Sequence, residues 1–127
     1  MNDVLNQEVV NDTAKLIMHR LIARRLARDP LLVERAKVSH AKVSGRFPGW
    51  TLVREWDDLL ALPPDRLRRL LTSRNPEMKR LRLSSPFVIA DGIDFTDPDL
   101  RRRIRRAAKR IVRRGLASGR AIASMAA

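Results

Sequence analysis

Two histidines, a serine pair and two pairs of neighbouring carboxylates are the groups whose types and spacing could do chemistry in this chain, which has no cysteine. Neither His19 nor His40 has an acidic residue three or four positions away, so neither begins a recognisable helical metal site. Arg35 and His40 stand at an R-x4-H spacing in "RAKVSH". Asp57/Asp58 and Asp91/Asp94 have nothing beside them that suggests a bound metal or phosphate, and helix caps and turns explain them more simply. Ser84-Ser85 precedes Pro86 and has no base beside it in sequence. No catalytic residue, metal ligand or cofactor site is therefore nominated, and the chain reads as a protein that acts by binding.

The R-x4-H spacing resembles the signature of HEPN-type ribonucleases, which are all-helical proteins of this length. The resemblance covers six residues and implies an RNA-cleaving toxin with Arg35 and His40 at its centre. It stands as the alternative to a non-enzymatic reading, because 22 arginines in the chain supply such a spacing readily by chance.

Charge is the more informative chemistry. The formal net charge is +13; residues 1–64 contribute +2 and residues 65–127 contribute +11. The excess is concentrated in "DPDLRRRIRRAAKRIVRRG", where Arg101, Arg102, Arg103, Arg105, Arg106, Lys109, Arg110, Arg113 and Arg114 surround a stripe of Leu100, Ile104, Ala107, Ala108, Ile111 and Val112. Asp97 and Asp99 sit at the positive end of this helix and Arg113 and Arg114 at its negative end, with Gly115 expected as its left-handed cap. Like charges at i,i+4, such as Arg102/Arg106 and Arg106/Arg110, destabilise an isolated helix by about 0.2–0.5 kcal/mol each. Their retention points to an anionic partner. A membrane is the poorest candidate, since the stripe is Ala and β-branched residues rather than Trp, Phe and Leu. DNA or RNA, gripped without sequence readout, and an acidic protein surface both fit.

The elements that must position these residues are helical. Leu, Ile, Val and Ala dominate the apolar fraction, whereas aromatic residues are only 4% of the chain. Apolar residues recur at helical spacing over 9–28 (Val10, Ala14, Ile17, Leu21, Ile22). Asp29-Pro30 should cap and start a second helix running to Ser44 and stopping at Gly45, with Leu32, Val33, Ala36 and Val43 buried. "GRFPGW" is the clearest loop, from which Phe47 and Trp50 are expected to plug the core. Helices over 51–62, 64–73 and from Pro76 follow; "SSPFVIADGIDF" is an ordered connector, and the basic helix closes the fold. The expectation is an all-α, single compact domain of five to six helices over 1–115, with 116–127 a frayed or flexible tail. No apolar run approaches the ~20 residues of a membrane span, and the polar start "MNDVLNQEVVND" lacks signal-peptide character, so a cytoplasmic protein is expected.

"REWDDLLALPPDRLRRLL" followed by "KRLRLSSPF" resembles small helical proteins of bacterial toxin–antitoxin loci over residues 9–90. That resemblance implies growth control, with a cognate antitoxin as partner if the chain is the toxin. Two features are similar to replication-blocking toxins of the SocB type, which occupy the DNA sliding clamp and are passed to the ClpXP protease. In "RLRLSSPF", Leu81, Leu83 and Phe87 would be the clamp-binding anchors, with Arg80 where such peptides carry glutamine. In "ASMAA", Ala126 and Ala127 would form the degron. The function so implied is a non-enzymatic toxin blocking DNA replication; the alternative is a basic nucleic-acid-binding regulator or antitoxin.

Overall fold

Among the described residues six helices form where the apolar spacing is helical, and prolines mark most of the breaks between them. The computed structural model describes residues 6–47, 49–88, 90 and 95–126, with side chains described as far as residue 115. The elements are α1 (Gln7–Arg28), α2 (Leu31–Arg46), α3 (Thr51–Leu60), α4 (Pro64–Leu71), α5 (Pro76–Arg82) and α6 (Pro98–Ala126). No strand occurs among the described residues, and the fold is all-α and a single compact domain.

Asn6 caps α1 by accepting from the Glu8 and Val9 amides, and Asn75 caps α5 by accepting from Met78 at 2.8 Å. Pro64 and Pro76 stand in the first turns of α4 and α5, where a missing N–H costs nothing. α1 is the central element: it packs against α2, α4, α5 and α6. The core gathers Ile22 and Leu26 of α1, Leu32 and Ala36 of α2, Trp56 of α3, Leu67 and Leu71 of α4, Met78 and Leu81 of α5, and Ile104 of α6. Phe87 closes it, meeting Trp56 edge-on at 6.3 Å. The Trp56 indole N–H donates to the Leu81 carbonyl at 3.2 Å, which ties α3 to the end of α5.

Five expectations are corrected. α2 runs through Gly45 to Arg46, and α6 runs through Gly115 to Ala126. Gly115 is not a left-handed cap, since among the described glycines only Gly49 has positive φ, at 86°. Asp29 does not cap α2 with its side chain; its carboxylate instead bridges Arg35 at 2.9 Å and Arg25 at 3.9 Å across the α1–α2 corner. Phe47 and Trp50 do not plug the core. They stack on each other at the surface, 41% and 52% exposed, with ring centroids 4.1 Å apart. On α2, His40 rather than Val43 takes the fully inward position.

Candidate anionic-partner interface

α6 begins on Asp97, whose carboxylate accepts from the Asp99 amide at 3.0 Å and whose carbonyl accepts from Arg101 N–H. This cap leaves the helix free to present its sides. Ile104 and Ala108 are buried against α1, with Ala108 meeting Val10, Ala14 and Ile17. Arg105 reaches Gln7 Oε1 at 2.5 Å and Asn11 Oδ1 at 3.1 Å, and Arg101 acts on Lys15, so the two helices run antiparallel. Burial first, and then the Arg101 charge, hold the Lys15 ammonium below its usual pKa.

This docking divides the basic residues into two sets. Arg101 and Arg105 flank α1, where Arg105 is an inter-helix tie. Arg102, Arg106, Arg110 and Arg113 lie within a narrow arc opposite the Ile104–Ala108 contact, as 100° per residue requires, and all four are exposed. Lys109 borders them, half-buried; Arg103 and Arg114 extend the arc and are exposed. Among the described residues, Arg102 with Asp99 is the one ion pair this helix makes. The outer face is therefore a column of guanidinium groups with almost no internal neutralisation. α6 carries planar donors on a rigid rod, an arrangement that meets phosphate or carboxylate oxygens bidentately.

The clamp-like peptide is not presented as one. Leu81 is 6% exposed and Phe87 fully buried, both inside the core cluster, whereas Leu83 is 55% exposed. Arg80 is held by Glu55 at 2.6 Å and Glu77 at 2.8 Å. Only one of the three anchors faces outward, because the segment spans the last turn of α5 and a set of turns whose apolar side chains complete a core that has few other aromatics. Leu81 and Phe87 are thus corrected from partner contacts to core residues.

The R-x4-H pair is likewise separated. Positions five apart on a helix diverge by about 140°, and the two side chains take different partners: Arg35 pairs with Asp29, while His40 Nε2 lies 2.8 Å from Asp57 Oδ1 and 3.1 Å from the Val53 carbonyl. Both partners accept, so the His40 proton sits on Nε2. Ser84 Oγ accepts from Trp56, and Ser85 Oγ accepts from the Phe87 amide. Asp91 and Asp94 lie outside the described residues, as does Ala127; Ala126 is the last residue of α6. Among the described residues no cluster of three or more His, Cys, Asp or Glu could hold a metal ion, and no helix is long and apolar enough to cross a membrane.

Three features escaped the sequence reading. Arg82, 3% exposed, donates through one guanidinium nitrogen to the Leu71 and Ser73 carbonyls at 3.2 and 2.5 Å, closing the end of α4. His19 is fully buried; its Nδ1 donates to the Lys15 carbonyl at 2.6 Å, and its Nε2 has no hydrogen-bond partner among the described residues. The third is the exposed Phe47–Trp50 stack. One arginine among 22 and a histidine at helical spacing carry no distinguishing signal; the glycines around Phe47 and Trp50 are the signal that could have placed that pair outside.

Comparison of the chain with protein-family models, with curated proteins and with solved structures returns no match.

Proposed function

We propose that this protein binds nucleic acid electrostatically through the outer face of α6, as a regulator or antitoxin of a two-gene locus would. The observation that supports this reading is the exposed arc of Arg102, Arg106, Arg110 and Arg113, whose only carboxylate partner among the described residues is Asp99. A purely solubilising surface would intersperse both signs, as α5 does with Glu77 and Arg80. Nothing on the arc is an Asn or Gln aimed at base edges, so the expected binding is strong at low salt and largely blind to sequence.

If about six charges meet phosphates, the logarithm of affinity falls against the logarithm of salt with a slope near −5. Fluorescence anisotropy on labelled DNA and RNA oligonucleotides between about 50 and 300 mM salt, a range that brackets the ~10 Å Debye length of 0.1 M salt, measures it. The combined Arg102/Arg106/Arg110→Glu variant should lose binding while keeping its helical circular dichroism. Wild-type protein that binds neither nucleic acid at low salt would sink the reading. A clamp-directed toxin acting through Leu83 has less support, since its two companion anchors are buried.

A further inference from the structure

The Phe47–Trp50 pair sits on the surface where the sequence led us to expect core. The two rings stack at 4.1 Å with 22° between planes, held by the Phe47 amide donating to Val43 and the Trp50 amide to the Phe47 carbonyl. Gly49, at φ 86°, makes the turn that brings them together. An exposed tryptophan and phenylalanine cost solubility, and stacking them on each other hides only one face of each ring.

The helix ends that flank the pair are basic. Lys42 and Arg46 lie one turn apart at the end of α2, and Arg54 lies one turn into α3 from Trp50; all three are exposed, and none makes an ion pair among the described residues. α3 starts at Thr51 with no side-chain cap and no acidic residue in its first turn, so its positive end is uncompensated beside the aromatic pair. Aromatic faces between helix ends that carry unpaired cations, with a bare helix start at Thr51, match the chemistry of a strand whose bases are free to stack and whose phosphates follow one another. A duplex hides its base faces and offers nothing for the rings to meet.

We propose that the α2–α3 loop is a stacking platform for an unpaired base, which makes single-stranded nucleic acid the preferred ligand class. The proposal rests on the nucleic-acid reading of α6 and adds a second contact on a different pair of helices. α6 supplies charge to any phosphate backbone; Phe47 and Trp50 discriminate strands with exposed bases from duplexes.

The test compares a labelled single-stranded oligonucleotide of about 24 nucleotides with a blunt-ended duplex of about 12 base pairs, which carries nearly the same charge and no unpaired bases, using wild type, Trp50→Ala, Trp50→Phe and the triple α6 variant. Base stacking contributes about 1–3 kcal/mol per base, so Trp50→Ala should weaken single-strand binding roughly 5- to 150-fold. Duplex affinity and the salt slope should hold, and Trp50→Phe should retain most of the affinity. In the wild type, the single strand should quench the fluorescence of exposed Trp50 and leave that of Trp56, 1% exposed, unchanged. Equal single-strand affinity in wild type and Trp50→Ala would overturn the proposal, leaving α6 as the whole interface and the aromatic pair free for a protein surface. Equal losses on both substrates would overturn it too, by making the loop a general contact. Absence of wild-type binding to either substrate would remove the α6 reading with it.

Discussion

At the residue scale, the side chains that decide this fold are those in the last turn of α5 and the turns that follow it. Leu81 and Phe87 fill the core beside Trp56, so truncating either to Ala should destabilise the protein by about 2–5 kcal/mol through lost burial and the cavity left behind. Leu83, one residue past the helix, is more than half exposed and its truncation should stay within about 0.5 kcal/mol. Urea unfolding of the three variants separates them, and clamp recovery by Leu83→Ala protein equal to wild type would remove the peptide reading altogether. His19 gives a second residue-scale prediction. Burial, opposed by its bond to Lys15 and helped by the Arg82 charge, pushes its pKa down from 6.5 to about 4. The folded state thus holds the neutral ring while the unfolded chain takes up a proton as pH falls below about 6.5. Stability from this residue is complete above that pH and is lost progressively down to about pH 4, by roughly 3 kcal/mol in all. His19→Leu should flatten that part of the urea midpoint's pH profile; an unchanged difference between pH 7 and pH 4.5 would show that His19 is not responsible.

At the scale of elements, the helices were legible and their glycine boundaries were not. Apolar spacing placed α1 and the basic helix, and proline started α4 and α5, because both signals act locally whatever the chain packs against. Glycine is ambiguous: it can end a helix in the left-handed conformation or sit inside one at an entropic cost of about 1 kcal/mol. Gly45 and Gly115 take the second course, whereas Gly49 takes the left-handed conformation in the turn after α2. The exposed aromatic pair was missed for a related reason, since hydrophobicity alone argues for burial and only the path of the loop around Gly49 turns the rings outward. The candidate site was half legible: the basic face followed from spacing, whereas the role of Arg105 as a tie to Gln7 and Asn11 required α1 to be in place. The glycines make a paired test. A Cβ at Gly115 meets nothing within 4 Å in a helical backbone, so Gly115→Ala should raise stability by about 0.5–1 kcal/mol. Gly49→Ala meets open space too but must adopt φ 86°, and should cost about 1–2 kcal/mol. A loss at position 115 in thermal unfolding would restore the helix stop there.

At the scale of the whole molecule, the charge that serves binding works against folding. A net charge of +13 on 127 residues repels itself in the compact state, and the outer face of α6 adds the like pairs Arg102/Arg106, Arg106/Arg110 and Arg110/Arg114 with one neighbouring carboxylate to offset them. Each such pair costs about 0.2–0.5 kcal/mol, so neutralising all three through Arg102/Arg106/Arg110→Gln should stabilise the protein by about 1 kcal/mol while it weakens nucleic-acid binding. Salt should act in the same direction on the wild type. Screening shortens to about 3 Å at 1 M, which relieves repulsion between exposed arginines and leaves the apolar core untouched. The expected pattern is therefore a urea midpoint that rises with sodium chloride in the wild type, rises less in the triple Gln variant, and moves opposite to oligonucleotide affinity. A variant less stable than wild type at low salt would mean that these guanidinium groups hold the fold together through contacts within the molecule. The face would then be structural, and the column of arginines would need no partner to explain it.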